Sequence, residues 1–81
     1  MAFANPSYHF SRVVTPSDTV NFAEGVCDAI HVGVGGTITV VFQDLSTAQF
    51  TATTGQIIPV RAIRVNNTNT AATTMVAMYE R

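Results

Sequence analysis

The stretch DAIHVGVGGTITVVFQDLSTAQFTAT, residues 28–53, decides the fold. Ile30, Val32 and Val34 share one phase of its first segment; His31 and Gly33 take the other. Gly35-Gly36 follows, and two glycines accept the positive φ angles of a type I′ or II′ hairpin turn. The return segment, TITVVFQ, puts Ile38, Val40 and Phe42 inside and Thr37, Thr39, Val41 and Gln43 outside. Asp44-Leu45-Ser46 supplies a turn, and TAQFTAT then places Ala48, Phe50 and Ala52 on one side. A period of two through three segments reads as a β-meander.

Working outward, DTVNF (18–22) reads as a short strand and AEGV, around Gly25, as a turn. Ser17-Asp18 after Pro16 suits a turn closed by side-chain to backbone bonds. Residues 1–16 mix aromatics with Pro6 and Pro16, each of which favours extended backbone before it. An extended arm is expected there, packed on a neighbour or on the module's own edge. Downstream, QIIPVRAIRV carries Pro59, which cannot donate to a ladder and marks an edge, a bulge or a bend. Ile58, Val60 and Ala62 share a phase that Ile63 and Val65 do not, the one-residue slip of a bulge. NNTNT (66–70) is a tight loop, since Asn tolerates left-handed backbone. The closing strand TTMVAMY alternates Val76 and Met78 with Met75, Ala77 and Tyr79. Both sets are apolar, so both faces should be covered.

No segment holds a 3.6-residue apolar period, and β-branched Thr and Val crowd any helix over AATTMVAMYER. The expected fold is all-β: a single β-sandwich or rolled β-barrel of six or seven antiparallel strands over 17–81, behind an arm at 1–16.

At 81 residues, such a domain buries only about 60–65% of its unfolded surface. Yet 47% of its residues are hydrophobic and 11% charged, against about 25% charged in an average chain. Thr, Asn, Ser and Gln supply the polarity instead. A surface so poor in charge is easily desolvated, which favours association with a partner. Net charge is −1, with four basic residues, all Arg, so the basic stripe of a nucleic-acid binder is missing. No apolar run is long enough for a membrane-spanning helix. MAFANPSYHFSR has no basic start leading into an apolar run, so no secretion signal is expected. Cys27 stands alone, compatible with synthesis in a reducing cytosol, and reads as a small buried hydrophobe.

Chemistry-bearing patterns are weak. Gly33-Val34-Gly35-Gly36 lacks the Gly-Lys-Ser/Thr ending of a phosphate loop. His9 and His31 are the only imidazoles, too few for a metal centre, so no metal and no cofactor are expected. The carboxylates Asp18, Glu24, Asp28, Asp44 and Glu80 fall in turns or at strand ends, which gives no acid–base pair. Asn66-Asn67-Thr68 matches a glycosylation acceptor by chance composition. Arg61 and Arg64 suit interface carboxylates and carbonyls, or equally guard a sheet edge.

Together, Thr15-Pro16-Ser17-Asp18 and the later run Pro59, Arg61, Arg64, Thr68-Asn69-Thr70, Ala72-Thr73 and Tyr79 form a pattern across residues 14–79. It resembles the head spike base proteins of gene transfer agents and their relatives in tailed phages. Asn69 stands where that family is expected to carry Gly, and both residues enter left-handed backbone. The resemblance implies a non-enzymatic virion structural protein, a capsid decoration or cement protein or a head spike base subunit. It implies a symmetric homo-oligomer, a trimer or pentamer, on the outer capsid surface. Its partners would be the major capsid protein and a spike or fibre protein, with no nucleic acid and no membrane. Expected contact residues are Phe3, Tyr8, Phe10, Arg61, Arg64 and Tyr79. The rival reading is a monomeric β-module that binds a peptide or glycan. It requires the Met75/Ala77/Tyr79 face to line a concave pocket within one chain; contact of that face with another subunit would count against it. An enzyme would need a cleft with two converging titratable groups.

Overall fold

The computed structural model describes residues 8–80. They form seven strands and no helix: β1 (Phe10–Val13), β2 (Ala29–Val34), β3 (Gly36–Phe42), β4 (Thr47–Ala52), β5 (Ile57–Ile58), β6 (Ala62–Val65) and β7 (Thr73–Tyr79). A four-stranded sheet runs β1-β7-β2-β5 and a three-stranded sheet runs β4-β3-β6, every pair antiparallel. The all-β expectation holds, in its sandwich form. Phe3 and the first residues of the expected arm lie outside the described residues, while β1 takes an edge of the larger sheet.

The core lies between the sheets. Ile30, Val32, Ile58, Met75, Ala77 and Tyr79 from the larger sheet meet Ile38, Val40, Ala52, Ala62 and Val65 from the smaller one. At about 25 cal/mol per Å² of apolar surface removed from water, this shared layer is the main stabilising term.

The meander reading of 28–53 is corrected. β2 and β3 do not pair; they belong to different sheets, and Gly35-Gly36 is a corner rather than a hairpin. The corner is too crowded for side chains, because a Cβ on Gly35 would lie 2.7 Å from the Ala52 carbonyl oxygen. Gly33 is similarly constrained: its Cβ would lie 2.6 Å from the carbonyl oxygen of Thr74, a residue held at φ 57°. The β3–β4 hairpin does form, with Val41 opposite Thr47 and Ile38 opposite Phe50. Its turn is closed by Ser46, which donates from its backbone N–H and its hydroxyl to Asp44 Oδ1 at 3.0 and 2.6 Å. Leu45 sits at φ 70° with 69% of its surface exposed. A side chain in left-handed backbone costs about 1–2 kcal/mol, so Leu45→Gly is expected to raise stability by roughly 0.5–1 kcal/mol after the greater freedom of glycine in the unfolded chain is subtracted. Urea unfolding of the two proteins measures this; a fall in midpoint would mean that Leu45 packs usefully.

The phase slip in 56–65 has two causes. Pro59 lies where the chain leaves β5 for the other sheet, and the Val60 N–H closes a tight turn onto the Ile58 carbonyl at 2.9 Å. β6 then carries the expected bulge: Val41 pairs with Arg64 and Phe42 with Ala62, leaving Ile63 as the extra residue. Val41, placed outside by simple alternation, is buried opposite Arg64.

The expected strand at 18–22 does not form. The Ser17 hydroxyl accepts the N–H groups of Thr19 and Val20 at 3.2 and 3.0 Å, a local turn that competes with a ladder. The segment instead covers the outer edge of β6 at separated points: Ser17, Phe22 and Cys27 N–H groups donate to Val65, Ile63 and Ala62 carbonyls. Asp18 ties this segment to the Asn/Thr loop, accepting the Thr68 N–H at 2.9 Å and the Thr68 hydroxyl at 2.7 Å. Asn69 in that loop is left-handed, at φ 64°.

The Thr68 backbone bond, then its hydroxyl, holds the Asp18 carboxyl below the ordinary value of 3.8. A depressed carboxylate contributes stability that is present above its unfolded value and lost as pH falls through its folded one. Asp18→Ala is therefore expected to melt lower than wild type at neutral pH, with the gap closing below about pH 4. Thermal melts across that range check it; a gap that persists at low pH would assign the effect to something other than the ionised carboxylate.

Candidate functional site

Residues paired directly across antiparallel strands share a face, so the register defines the outer side of the larger sheet. One transverse row runs Val13 (β1), Val76 (β7), His31 (β2) and Ile57 (β5); the next holds Ser11, Met78 and Ala29. Val13 is 81% exposed and Ile57 49%, while Val76, Met78 and His31 are half-buried. No carboxylate, Arg or Lys stands in either row. The outer side of the smaller sheet differs: Thr37, Thr39, Thr47, Gln49 and Thr51 cover it. One broad side of the sandwich is thus apolar and uncharged, and the opposite side is Thr/Gln-rich.

The residues expected to make contacts divide. Phe10 stacks on Tyr79, centroids 4.6 Å apart and planes 7° from parallel, with the Arg12 guanidinium 5.0 Å from the Phe10 ring. Tyr79 itself is fully buried, its hydroxyl donating to the Gly25 carbonyl at 3.3 Å. It offers a partner no side-chain surface and serves instead as the support on which Phe10 rests. Tyr8 is half-buried just ahead of β1. Arg61, with 74% of its side chain exposed, lies 3.9 Å from Asp28, which in turn accepts the Glu80 N–H at 2.8 Å. Phe10, Tyr79 and Arg61 therefore gather at the end of the module where β7 finishes. Arg64 stands apart on the smaller sheet, donating to Asn66 and Asn21 Oδ1 atoms at 3.2 and 3.0 Å. Val13, His31 and Ile57 were missed by motif reading. The signal for the face was the doubly apolar closing strand, in which Val76 and Met78 form the second set.

The Met75/Ala77/Tyr79 face turns into the intersheet core. Only its Ala77 and Tyr79 end borders a surface cleft of about 250 Å³, which Arg12, Val13, Phe22, Ala23 and Glu24 complete. The two charged groups there pair with each other, Arg12 Nε to Glu24 Oε2 at 3.4 Å. Among the described residues no group of three or more His, Cys, Asp or Glu side chains converges as a metal site. Cys27 is buried, its thiol 3.4 Å from the Val60 carbonyl.

The fold and this face define a class: a small two-sheet β-module with one uncharged, apolar broad side. No protein-family profile matches the chain, and no curated protein does. Among solved structures, a chain from the capsid of a native gene transfer agent (GTA) particle, computed with C5 symmetry, superimposes with a TM-score of 0.82. The two are 33% identical, over 89% of this chain and 83% of that one. The chain belongs to the family of that capsid chain and is a phage/GTA capsid-related protein.

Proposed function

We propose that this protein is a non-enzymatic virion subunit, a capsid decoration protein or head spike base, made in the host cytoplasm and carried on the outer capsid surface. The observation that carries the reading is the uncharged apolar side of the larger sheet in a chain akin to a GTA capsid chain. Burying such a side releases apolar surface from water without stripping water from charges. The docking partner is the major capsid protein. The Phe10/Arg61 end contacts the next copy in a cyclic homo-oligomer, a trimer or pentamer. The Thr/Gln side then faces outward, available to a spike or fibre.

The cleft beside β1 favours a second reading, a monomeric module for a peptide or glycan. At about 250 Å³ it falls below the roughly 300–1,000 Å³ of ordinary ligand sites, and its two charges already satisfy each other. Mass spectrometry of purified particles tests the choice. A virion subunit is present in fixed ratio to the principal shell protein; its absence from the particles would overturn the proposal.

A further inference from the structure

The two sheets have four edges, and three are guarded. On β1, Arg12 brings a charge and donates from Nη1 to the Ser11 carbonyl at 2.8 Å. β5 is two residues long and ends at Pro59. The segment 17–27 covers β6. Short strands, charges, prolines and covering loops are the ordinary means by which proteins prevent edge pairing. β4 has none of them: TAQFTA carries no charge and no proline, and it stands at the end of its sheet.

The register shows which of its backbone groups are open. Thr39 and Thr37 carbonyls accept from Asn66 and from Ala71 and Ala72, and the Thr39 N–H donates to the Thr70 hydroxyl. Those β3 residues thus point away from β4, so the residues opposite them, Gln49 and Thr51, also point away from β3. Thr47 follows the same alternation. The N–H and C=O groups of Thr47, Gln49 and Thr51 face the free edge and have no partner among the described residues. The next position in that phase, Thr53, is already closed off, its N–H donating to Gln56 Oε1 at 2.9 Å.

We propose that this edge pairs with β4 of a second copy, antiparallel and centred on Gln49. The strand is its own complement. With Gln49 opposite Gln49, Thr47 meets Thr51 and Ala48 meets Phe50, so polar pairs line one face and small–large apolar pairs the other. All the open groups are then satisfied, in about six main-chain bonds, and no like charges meet. The contact joins the two smaller sheets into one. Being two-fold, it cannot close a ring of odd order. It links pairs of copies independently of the docking side, and either proposal can fail without the other.

Disulfide trapping in the full chain tests the register. Gln49 and Thr47 are both exposed, so their replacement spares the fold, and the native Cys27 is buried. Gln49→Cys places two thiols across a pair with Cα atoms about 5.5 Å apart, within disulfide reach. Thr47→Cys places them about four residues out of step, beyond reach. Under mild oxidation Gln49→Cys should form covalent dimer roughly tenfold faster than Thr47→Cys, because pre-pairing raises the local thiol concentration. The double variant Thr47→Cys/Thr51→Cys should regain dimer. Equal rates for the two single variants, or no dimer from Gln49→Cys, would overturn the proposal.

Discussion

Tyr79→Ala is expected to leave the chain unfolded, or nearly so, at room temperature. Tyr79 is the largest of the fully buried side chains and stands at the end of the last strand, between β1 and the 22–25 turn. Truncating a buried aromatic costs about 3–5 kcal/mol. The stacked Phe10 ring loses its partner as well, worth about 0.5–1.5 kcal/mol. A domain of 81 residues has only about 4–12 kcal/mol in total. Tyr79→Phe keeps the ring and the stack and gives up one long hydrogen bond of 3.3 Å, so it should cost no more than about 1 kcal/mol. Chemical denaturation of the pair separates ring from hydroxyl. A folded Tyr79→Ala within about 1 kcal/mol of wild type would show that β1 and β7 are held by something other than this ring.

The second large effect concerns assembly rather than folding. Val13→Glu combined with Ile57→Glu should abolish incorporation into particles while leaving the melting temperature close to wild type. Both residues are exposed in the single chain, so an added carboxylate stays in water before docking. On docking it would be buried without a partner, in two rows that hold no Arg or Lys. An unpaired buried charge costs several kcal/mol, and about 2 kcal/mol per site already lowers affinity by about thirtyfold. The matching double change on the other broad side, Thr37→Glu with Thr47→Glu, which are not cross-strand partners, should be tolerated. Particle content measured for both variants distinguishes the sides. If the Thr-side variant is the one excluded, the module docks the other way round, with its Thr/Gln side on the shell.

How much of this was legible in the sequence follows from where the information lies. Alternation is local, so the strands at 29–34, 36–42, 47–52 and 73–79 could be read from residue order. Left-handed Asn69 and the bulge at Ile63 were legible for the same reason, since each leaves a mark in its own segment. Pairing is not local. Gly35-Gly36 suits a hairpin and a corner equally well, and what chooses the corner is β7, which inserts between β1 and β2 from the far end of the chain. The strand expected at 18–22 was lost to Ser17 and Asp18, whose side chains bind backbone more cheaply than a ladder would. As for the site, a closing strand apolar on both sides announced that a second face needed covering. It could not say that Val13 and Ile57 would flank it, because that follows from the register of three other strands.

The most direct test of the account is a carbene footprint of the chain free in solution and on purified particles. Val13, His31, Ile57 and Met78 should be labelled in the free chain and protected on the particle, while Thr37 and Thr39 remain labelled in both. Equal labelling of Val13 and Ile57 in the two states would contradict the claim that this sheet face is what the shell covers.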